Sequence, residues 1–312
     1  IDPEARIVTV KNLRTGEIYE EAYDNLILSP GAEPIKPNLE GIDRDMVFTL
    51  RNIPDTLKIK NYIDTAKPKA AVVIGGGYIG VEMAENLTAA GLDVSIVELS
   101  DHLIASLDFD MAADVHRYIK KKGIPLYLQN GVTAIRDHAV VLQHGEISAD
   151  MVILSVGVRP ETALAKACGI RVNPRGSIVV DSRMKTNLPH IYAVGDAVEV
   201  NDFITNSPAF IPLAGPANKQ GRIAADTIAG YDSAYAGTQG SAVLKLFDMT
   251  IATTGLNEKG AKAAGIEYDK TYTYSGSHAS YYPGASNMSI KVLWDKTTLK
   301  LIGAQIVGYD SV

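Results

Sequence analysis

Residues 72–85 read VVIGGGYIGVEMAE. An apolar run ends in a cluster of glycines and passes directly into apolar residues at helical spacing, which predicts a strand, a tight turn and a helix. Residues 70–76 are continuously apolar, as in a strand covered on both faces, so a parallel sheet with a layer on either side is expected. Gly75, Gly77 and Gly80 fall in the spacing G-x-G-x-x-G. The first glycine permits the turn, the second lets a pyrophosphate approach the backbone, and the third lets helix and strand pack closely. The helix starting at Tyr78 then offers free N–H groups to phosphate. Alone, the spacing also fits an ordinary glycine turn. Its context is more specific, because Glu98 closes the next strand about 20 residues on, where an acid bonds ribose hydroxyls. A plain strand-end surface acid is the alternative for Glu98. As a ribose ligand its charge repels a 2′-phosphate, which favours NADH over NADPH.

Strand and helix go on alternating. DVSIVEL (93–99) is a strand, 109–122 an amphipathic helix with its cationic end C-terminal, and IPLYLQ (124–129) a strand. This implies right-handed βαβ units. Residues 131–149 switch to short alternating strands with a turn at QHGE, an antiparallel excursion, and DMVILSVG (150–157) returns to a buried strand. SIVVD (177–181) and IYAVGD (191–196) read as further strands, and 216–229 as a helix with a small-residue face. From about residue 240 the pattern becomes a mainly antiparallel α+β domain, with a helix at 257–265 capped by Asn257. At the other end, the alternating segments 6–10 and 16–29 cannot bury a face alone. Either they join a later part of the chain or their partners lie outside it, and the chain reads as a piece of a longer protein. Residues 32–45, with Pro34 and Pro37, read as a linker.

Composition excludes several classes. A net charge of −6 in 312 residues argues against nucleic acid, whose phosphates need a basic surface. No apolar run is long enough for a transmembrane helix. The one cysteine, Cys168, excludes an internal disulfide framework and a multi-cysteine metal site, and fits a reducing, cytoplasmic setting. The six histidines show no metal-ligand spacing, so no metal is expected.

A second strand ends in Gly195-Asp196, which puts a carboxylate at the sheet edge where α/β proteins bind ligands. A simple strand-to-turn signal is the alternative. YDNLILSPGA (23–32), VVIGGGYIGVE (72–82), SVGVRPET (155–162) and IYAVGDA (191–197) occur in that order, and together they resemble the flavin-dependent pyridine nucleotide–disulfide oxidoreductases over essentially the whole chain. The resemblance implies two Rossmann-like α/β domains, the FAD one incomplete, and a C-terminal α+β dimerisation domain. It divides the chain into 1–33 (tail of a first FAD segment), 34–158 (linker and NADH domain), 159–238 (second FAD segment) and 239–312 (dimerisation). It implies that Asp196 bonds the ribityl or pyrophosphate part of FAD, that Leu213 and Ala214 pass their backbone against the flavin, and that Ser29, Pro30 and Gly31 lie near its adenosine end. Tyr78, Ile79 and Glu82 would line the nicotinamide pocket, Tyr78 gating the flavin face, and Gly157 would touch the nicotinamide ribose. Read bottom-up, Tyr78 is equally a packing residue at a helix start and Glu82 a solvated first-turn acid. The family opens with another G-x-G-x-x-G and a redox-active cysteine, and neither is in this chain.

Within the family, the single-cysteine branch is most similar, above all coenzyme A-disulfide and NADH-dependent persulfide reductases, with NADH oxidases and peroxidases as the alternative. SGSHASYYPGAS (275–286) carries that likeness. It implies a homodimer in which a tyrosine, Tyr281 or Tyr282, reaches the partner's active site, with His278 toward the substrate and Asn218 and Gln220 bordering its channel, although those two are equally helix-surface residues. Coenzyme A would be substrate or bound ligand. A phenol hydrogen-bonds a leaving thiolate or persulfide sulfur. A tyrosine-rich strand ending in a turn is the bland alternative, and on a strand only one of two adjacent tyrosines faces a given side. Cys168, late in a short apolar helix, reads as packing. A non-catalytic NADH-binding, dimerising module is the reading from a different class.

Overall fold

The computed structural model describes residues 1–309, which form two compact units: residues 1–33 with 158–240, and residues 34–157 with the segment from Ser241 onward.

In the second unit a parallel five-stranded sheet runs in the order Val47–Phe48, Met151–Leu154, Ala70–Ile74, Asp93–Val97, Leu126–Tyr127. The continuous apolar run of the central strand has a direct cause. Ala71 and Val73 share one buried cluster with Val81, Ala84 and Leu87 of the helix Tyr78–Ala89. Val72 and Ile74 share another with Ile135, Val140 and Leu142 of an antiparallel layer, Val132–Arg136, Ala139–Leu142 and Gly145–Ser148. Both faces are dry, so neither tolerates a polar residue. The helix stops at Ala89, where Ala90 is its cap and Gly91 follows with φ 91°.

One helix has no counterpart in the apolar periodicity. Ile53–Ala66 is nucleated by Asn52, whose side chain accepts from the Asp55 N–H, with a proline in its first turn. Only Ile59 is buried on it, so it lacks a broad apolar stripe, and the cap and proline are its only sequence signals. Several expected strands shrink. IPLYLQ keeps only Leu126–Tyr127, and in SIVVD only Ile178 forms isolated bridges, to Val172 and Val198.

The C-terminal antiparallel sheet runs in the order Ala242–Leu246, Met249–Gly255, Leu301–Tyr309, Asn287–Asp295, Tyr268–Gly276. Its Leu244, Leu246, Met249, Ile251 and Val307 join the same buried cluster as the helix-facing side of the parallel sheet. The predicted cap is present, with Asn257 accepting from the Gly260 N–H. Where this sheet meets the helix Phe109–Lys121, the fully buried Lys291 ammonium lies 2.8 Å from Asp108, 2.9 Å from Asp110 and 2.5 Å from Glu258. Burial pushes the Lys291 amine down, but its carboxylate bonds outweigh burial and hold it well above the usual lysine range. Burial likewise raises Glu258, and hydrogen bonds from Lys270, Lys291 and Tyr268 overcome it, bringing its carboxyl down to about 2.

In the first unit the strand Leu26–Leu28 pairs in parallel with Ile191–Ala193, and Ala32–Pro34 pairs with Val158–Pro160. Of the opening segments, residues 26–28 thus join a later part of the chain, whereas Ile7–Lys11 and Ile18–Ala22 pair only with each other, in a two-stranded antiparallel sheet. Leu28, Ile178, Ile191, Ala193 and Val198 form that unit's core. No helix among the described residues is long and apolar enough to cross a membrane.

Because Glu258 has a folded pKa below its unfolded one, its stabilising contribution is complete above about pH 4.5 and is lost as pH falls through about 2. Thermal melts across that range should show wild type losing on the order of 3 kcal/mol more than Glu258→Gln. Parallel acid limbs for the two proteins would disprove the assignment.

Candidate dinucleotide site

The glycine turn is built from close backbone approaches. Gly75 has φ 105°, and a Cβ there would lie 2.4 Å from the Ser155 carbonyl oxygen. A Cβ on Gly80 would lie 2.0 Å from the Gly75 carbonyl oxygen. Both are therefore glycine for the protein's own packing. Ser155 adds a brace that its sequence position does not reveal, its hydroxyl lying 3.0 Å from the Ile74 carbonyl and 2.9 Å from that of Gly75.

Gly77 differs. Its φ is −76°, open to any residue, and a Cβ there would meet no atom within 4 Å. Packing does not explain its glycine, whereas a ligand lying against the backbone at the start of the helix does. This cradle fits a dinucleotide pyrophosphate.

Gly75, Gly77 and Glu98 line a cavity of about 660 Å³ with Leu99, Ser100, Asn130, Gly131, Gln143, Ser155 and Gly157, of which only Glu98 and the glycines Gly75, Gly77 and Gly157 are foreseen in the sequence. Glu98 accepts from the Gly76 N–H at 2.6 Å and the Ser100 N–H at 2.7 Å. A carboxylate has about four acceptor positions, so about two remain for ribose hydroxyls. The cavity lining contains no lysine or arginine.

Around the helix start, Ile79 and Glu82 are exposed and border a smaller cavity with Leu50, Met83, Glu85, Asn86 and Lys245. Burial and the neighbouring Glu85 push the Glu82 carboxyl above its ordinary value. The half-buried Tyr78 has its hydroxyl 2.8 Å from Ser106 and 3.3 Å from Thr253, partners that helical periodicity could not supply.

In the other unit, the parallel register Leu28↔Ala193 brings Ser29 and Gly195-Asp196 to one sheet edge. The Ser29 hydroxyl lies 3.6 Å from where a Gly195 Cβ would sit. Asp196 is half-buried, burial raises its carboxyl, and its carboxylate makes no hydrogen bond or ion pair among the described residues. An unpaired, partly desolvated carboxylate at a strand end fits a polar ligand such as the FAD chain. Gly31, at φ 76°, follows Ser29 and Pro30, its carbonyl accepting from the Glu161 N–H. Leu213 is the N-cap of the helix Ala214–Ile228, and Asn218 is exposed on it. Gln220 is neither surface nor channel-lining: it is 1% exposed and accepts from the Gly195 N–H at 2.7 Å. Cys168 caps the helix Ala163–Ala167, its thiol 3.4 Å from the Ala165 carbonyl.

The tyrosine segment is not a strand. Residues 277–286 connect the hairpin strands Tyr268–Gly276 and Asn287–Asp295, so alternation of faces does not apply to them. Tyr281 and Tyr282 are 83% and 62% exposed with ring centroids 5.1 Å apart, and the His278 ring lies 6.2 Å from that of Tyr282.

A glycine turn shaped for a dinucleotide with a strand-end acid beside it, and a carboxylate without a partner among the described residues at a strand end of the other unit, fit a protein with two nucleotide-binding units. The chain belongs to the pyridine nucleotide-disulphide oxidoreductase family, which matches residues 1–221, with the family's dimerisation domain matching residues 241–312. It is 35% identical to the coenzyme A disulfide reductase of Staphylococcus haemolyticus (strain JCSC1435), over all of this chain and 70% of that protein. It superposes on reduced Bacillus anthracis CoADR-RHD with a TM-score of 0.97 at 49% identity, covering all of this chain and 57% of the other. A NAD-dependent persulfide reductase from A. fulgidus gives 0.96 at 34% identity, with 100% and 58% covered. The chain therefore spans less than two thirds of those two solved proteins.

Gly77→Ala and Gly80→Ala separate the two kinds of glycine. Gly80→Ala should destabilise the fold by about 1–3 kcal/mol. Gly77→Ala should melt within about 0.5 kcal/mol of wild type yet bind NADH at least about tenfold more weakly. Melting curves and NADH titrations on both variants test this, and undiminished NADH binding by Gly77→Ala would remove the ligand explanation.

Proposed function

We propose that this chain carries the electron-entry and dimerisation parts of an NADH-dependent FAD flavoprotein that reduces coenzyme A disulfide, a persulfide or a polysulfide. The observation that carries the reading is Gly77, a glycine that the protein's own packing does not require. When bound, FAD supplies a ring that accepts a hydride from the nicotinamide and hands the electron pair to a sulfur acceptor. The chain's residues bind and orient. The Gly75–Gly80 turn seats the pyrophosphate, Glu98 meets the ribose hydroxyls, and Gly157, which lines the same cavity, meets the nicotinamide ribose. Tyr78, with Ile79 and Glu82, shapes the nicotinamide pocket, its hydroxyl tethered to Ser106 and Thr253. Ser29, Pro30, Gly31, Asp196, Leu213 and Ala214 hold FAD, Asp196 by accepting hydroxyl hydrogen bonds.

Reduction of a disulfide or persulfide needs a reactive thiol. Cys168 is half-buried and packed against its unit's core at a helix end, so the role falls to another cysteine. Tyr281 and Tyr282 stand exposed on a hairpin connection in the dimerisation domain, where a phenol of one protomer can reach a site on its partner, with His278 beside them. The coenzyme A disulfide reductase and persulfide reductase relatives favour sulfur acceptors over oxygen or peroxide. The absence of lysine and arginine from the cavity lining favours NADH.

In full-length protein, NADH should be oxidised rapidly with coenzyme A disulfide or a persulfide and slowly with oxygen or peroxide, with an NADH KM at least about tenfold below that for NADPH. The reverse acceptor preference would make it an oxidase or peroxidase, and turnover of none of these acceptors a binding module. Tyr281→Phe combined with Tyr282→Phe should lower turnover of the sulfur substrate about 100-fold. NADH oxidation by an artificial dye should be unchanged, because that step bypasses the phenols.

A further inference from the structure

The loop Leu99–Asp108 runs between the Glu98 strand end and the helix Phe109–Lys121, and its middle, Leu103 and Ile104, has no role in the function so far. It grips the dinucleotide turn at one residue. The Ile104 N–H donates to the Gly76 carbonyl at 2.8 Å, while Glu98 holds the Gly76 N–H. Leu103 is fully buried and occupies the space of a Gly76 side chain, its Cδ2 2.2 Å from where that Cβ would stand. The peptide between Gly76 and Gly77 is a rigid plane, so fixing the carbonyl of one fixes the N–H direction of the other on the opposite edge. That Gly77 N–H has no acceptor among the described residues.

The loop is strained where it makes this bond. Ile104 is 2% exposed and has φ 57°, in the left-handed region that β-branched residues strongly disfavour. Such a conformation persists only where its surroundings over-determine it. The adjoining restraint is the buried imidazole of His116, whose Nε2 accepts from the Leu103 N–H at 3.1 Å. Phe109 stacks edge-on to both His116 and His102. The imidazole must be neutral at Nε2 to accept, and burial, reinforced by His102 and Lys120, pulls its pKa down to about 4.

We propose that Leu99–Asp108 is a clasp that aims the Gly77 N–H at the dinucleotide phosphate, and that His116 is the positioning residue that keeps the clasp seated. The inference rests on the reading that this turn binds NADH. His116 touches no ligand. It acts through Leu103, Ile104 and the Gly76 carbonyl. Without its acceptor the buried Leu103 N–H is orphaned, the strained turn relaxes, and only the fraction of molecules with a seated clasp binds well.

Full-length wild type, His116→Leu and His116→Gln, whose amide oxygen replaces Nε2 as acceptor, are titrated with NADH by calorimetry and followed by amide hydrogen exchange. His116→Leu should bind about tenfold more weakly, and His116→Gln within about threefold of wild type. Exchange should accelerate in residues 99–108 of His116→Leu while the helix 109–121 stays protected, a pattern that general destabilisation would not give. In wild type, saturating NADH should slow exchange of the Leu103 and Ile104 amides, a readout that needs no variant to fold. Wild-type affinity in His116→Leu, no rescue by His116→Gln, or loop exchange indifferent to NADH would each overturn the clasp alone. Failure of wild type to bind NADH would overturn the functional reading and the clasp with it.

Discussion

The contact between Gly80 and the Gly75 carbonyl is the constraint on which the nucleotide-binding unit depends. At that separation a helix can be laid against the end of a strand only if the crossing residue has no side chain. The contact aims the free N–H groups of the helix Tyr78–Ala89 at the cavity that Glu98 borders. It also brings Val81 and Ala84 onto Ala71 and Val73, which buries one face of the sheet. Site and core thus share one geometric requirement, and the turn is held from several sides. Ser155 lies against the Ile74 and Gly75 carbonyls, Val97 accepts from the Gly75 N–H, and Glu98 accepts from that of Gly76.

The C-terminal sheet extends that unit. Its apolar side chains enter the same cluster as the nucleotide-binding helices, and Lys291 ties it electrostatically to the helix Phe109–Lys121. A buried cation among carboxylates is a weak source of net stability, because desolvation offsets much of the attraction. It is a strong source of specificity, since any other packing of the sheet would strand the ammonium without partners. Thr253, on the same sheet, reaches the Tyr78 hydroxyl. A sheet that matches the family's dimerisation domain thereby touches the first residue of the helix that follows the glycine turn.

Much of this was legible in the sequence where one physical rule dominated. The 70–76 run named a strand buried on both faces, the glycine spacing named the turn, and Asn257 named a cap. Legibility failed where distant partners decide the structure. Ile53–Ala66 buries only Ile59 and is marked by its cap rather than by periodicity. SIVVD has strand-forming residues, but Ile178 finds only isolated bridges instead of a strand partner along its length. Tyr281 and Tyr282 look like strand residues, yet the hairpin strands end at Gly276 and resume at Asn287, leaving both rings exposed on the connection. Ser155, Ser106 and Gln220 bond groups far away in sequence, and nothing local announces those bonds.

Glu98 joins these strands of the argument. From spacing alone it is a recognition residue waiting for a ribose. In the fold its two oxygens already accept backbone N–H groups, from Gly76 within the turn and from Ser100 at the start of the next loop. A charge-assisted bond to each is stronger than a neutral one, so the carboxylate fixes the turn and the loop relative to each other before any ligand arrives. Its remaining lone pairs are then presented to the cavity at a fixed place, and the cost of ordering them falls on folding rather than on the binding of a ligand. The same arrangement explains why the acid must sit at the end of the strand beside the glycine turn. The strand ends at Val97, whose carbonyl accepts from the Gly75 N–H, so the residue that follows it stands beside the turn, within reach of the Gly76 N–H.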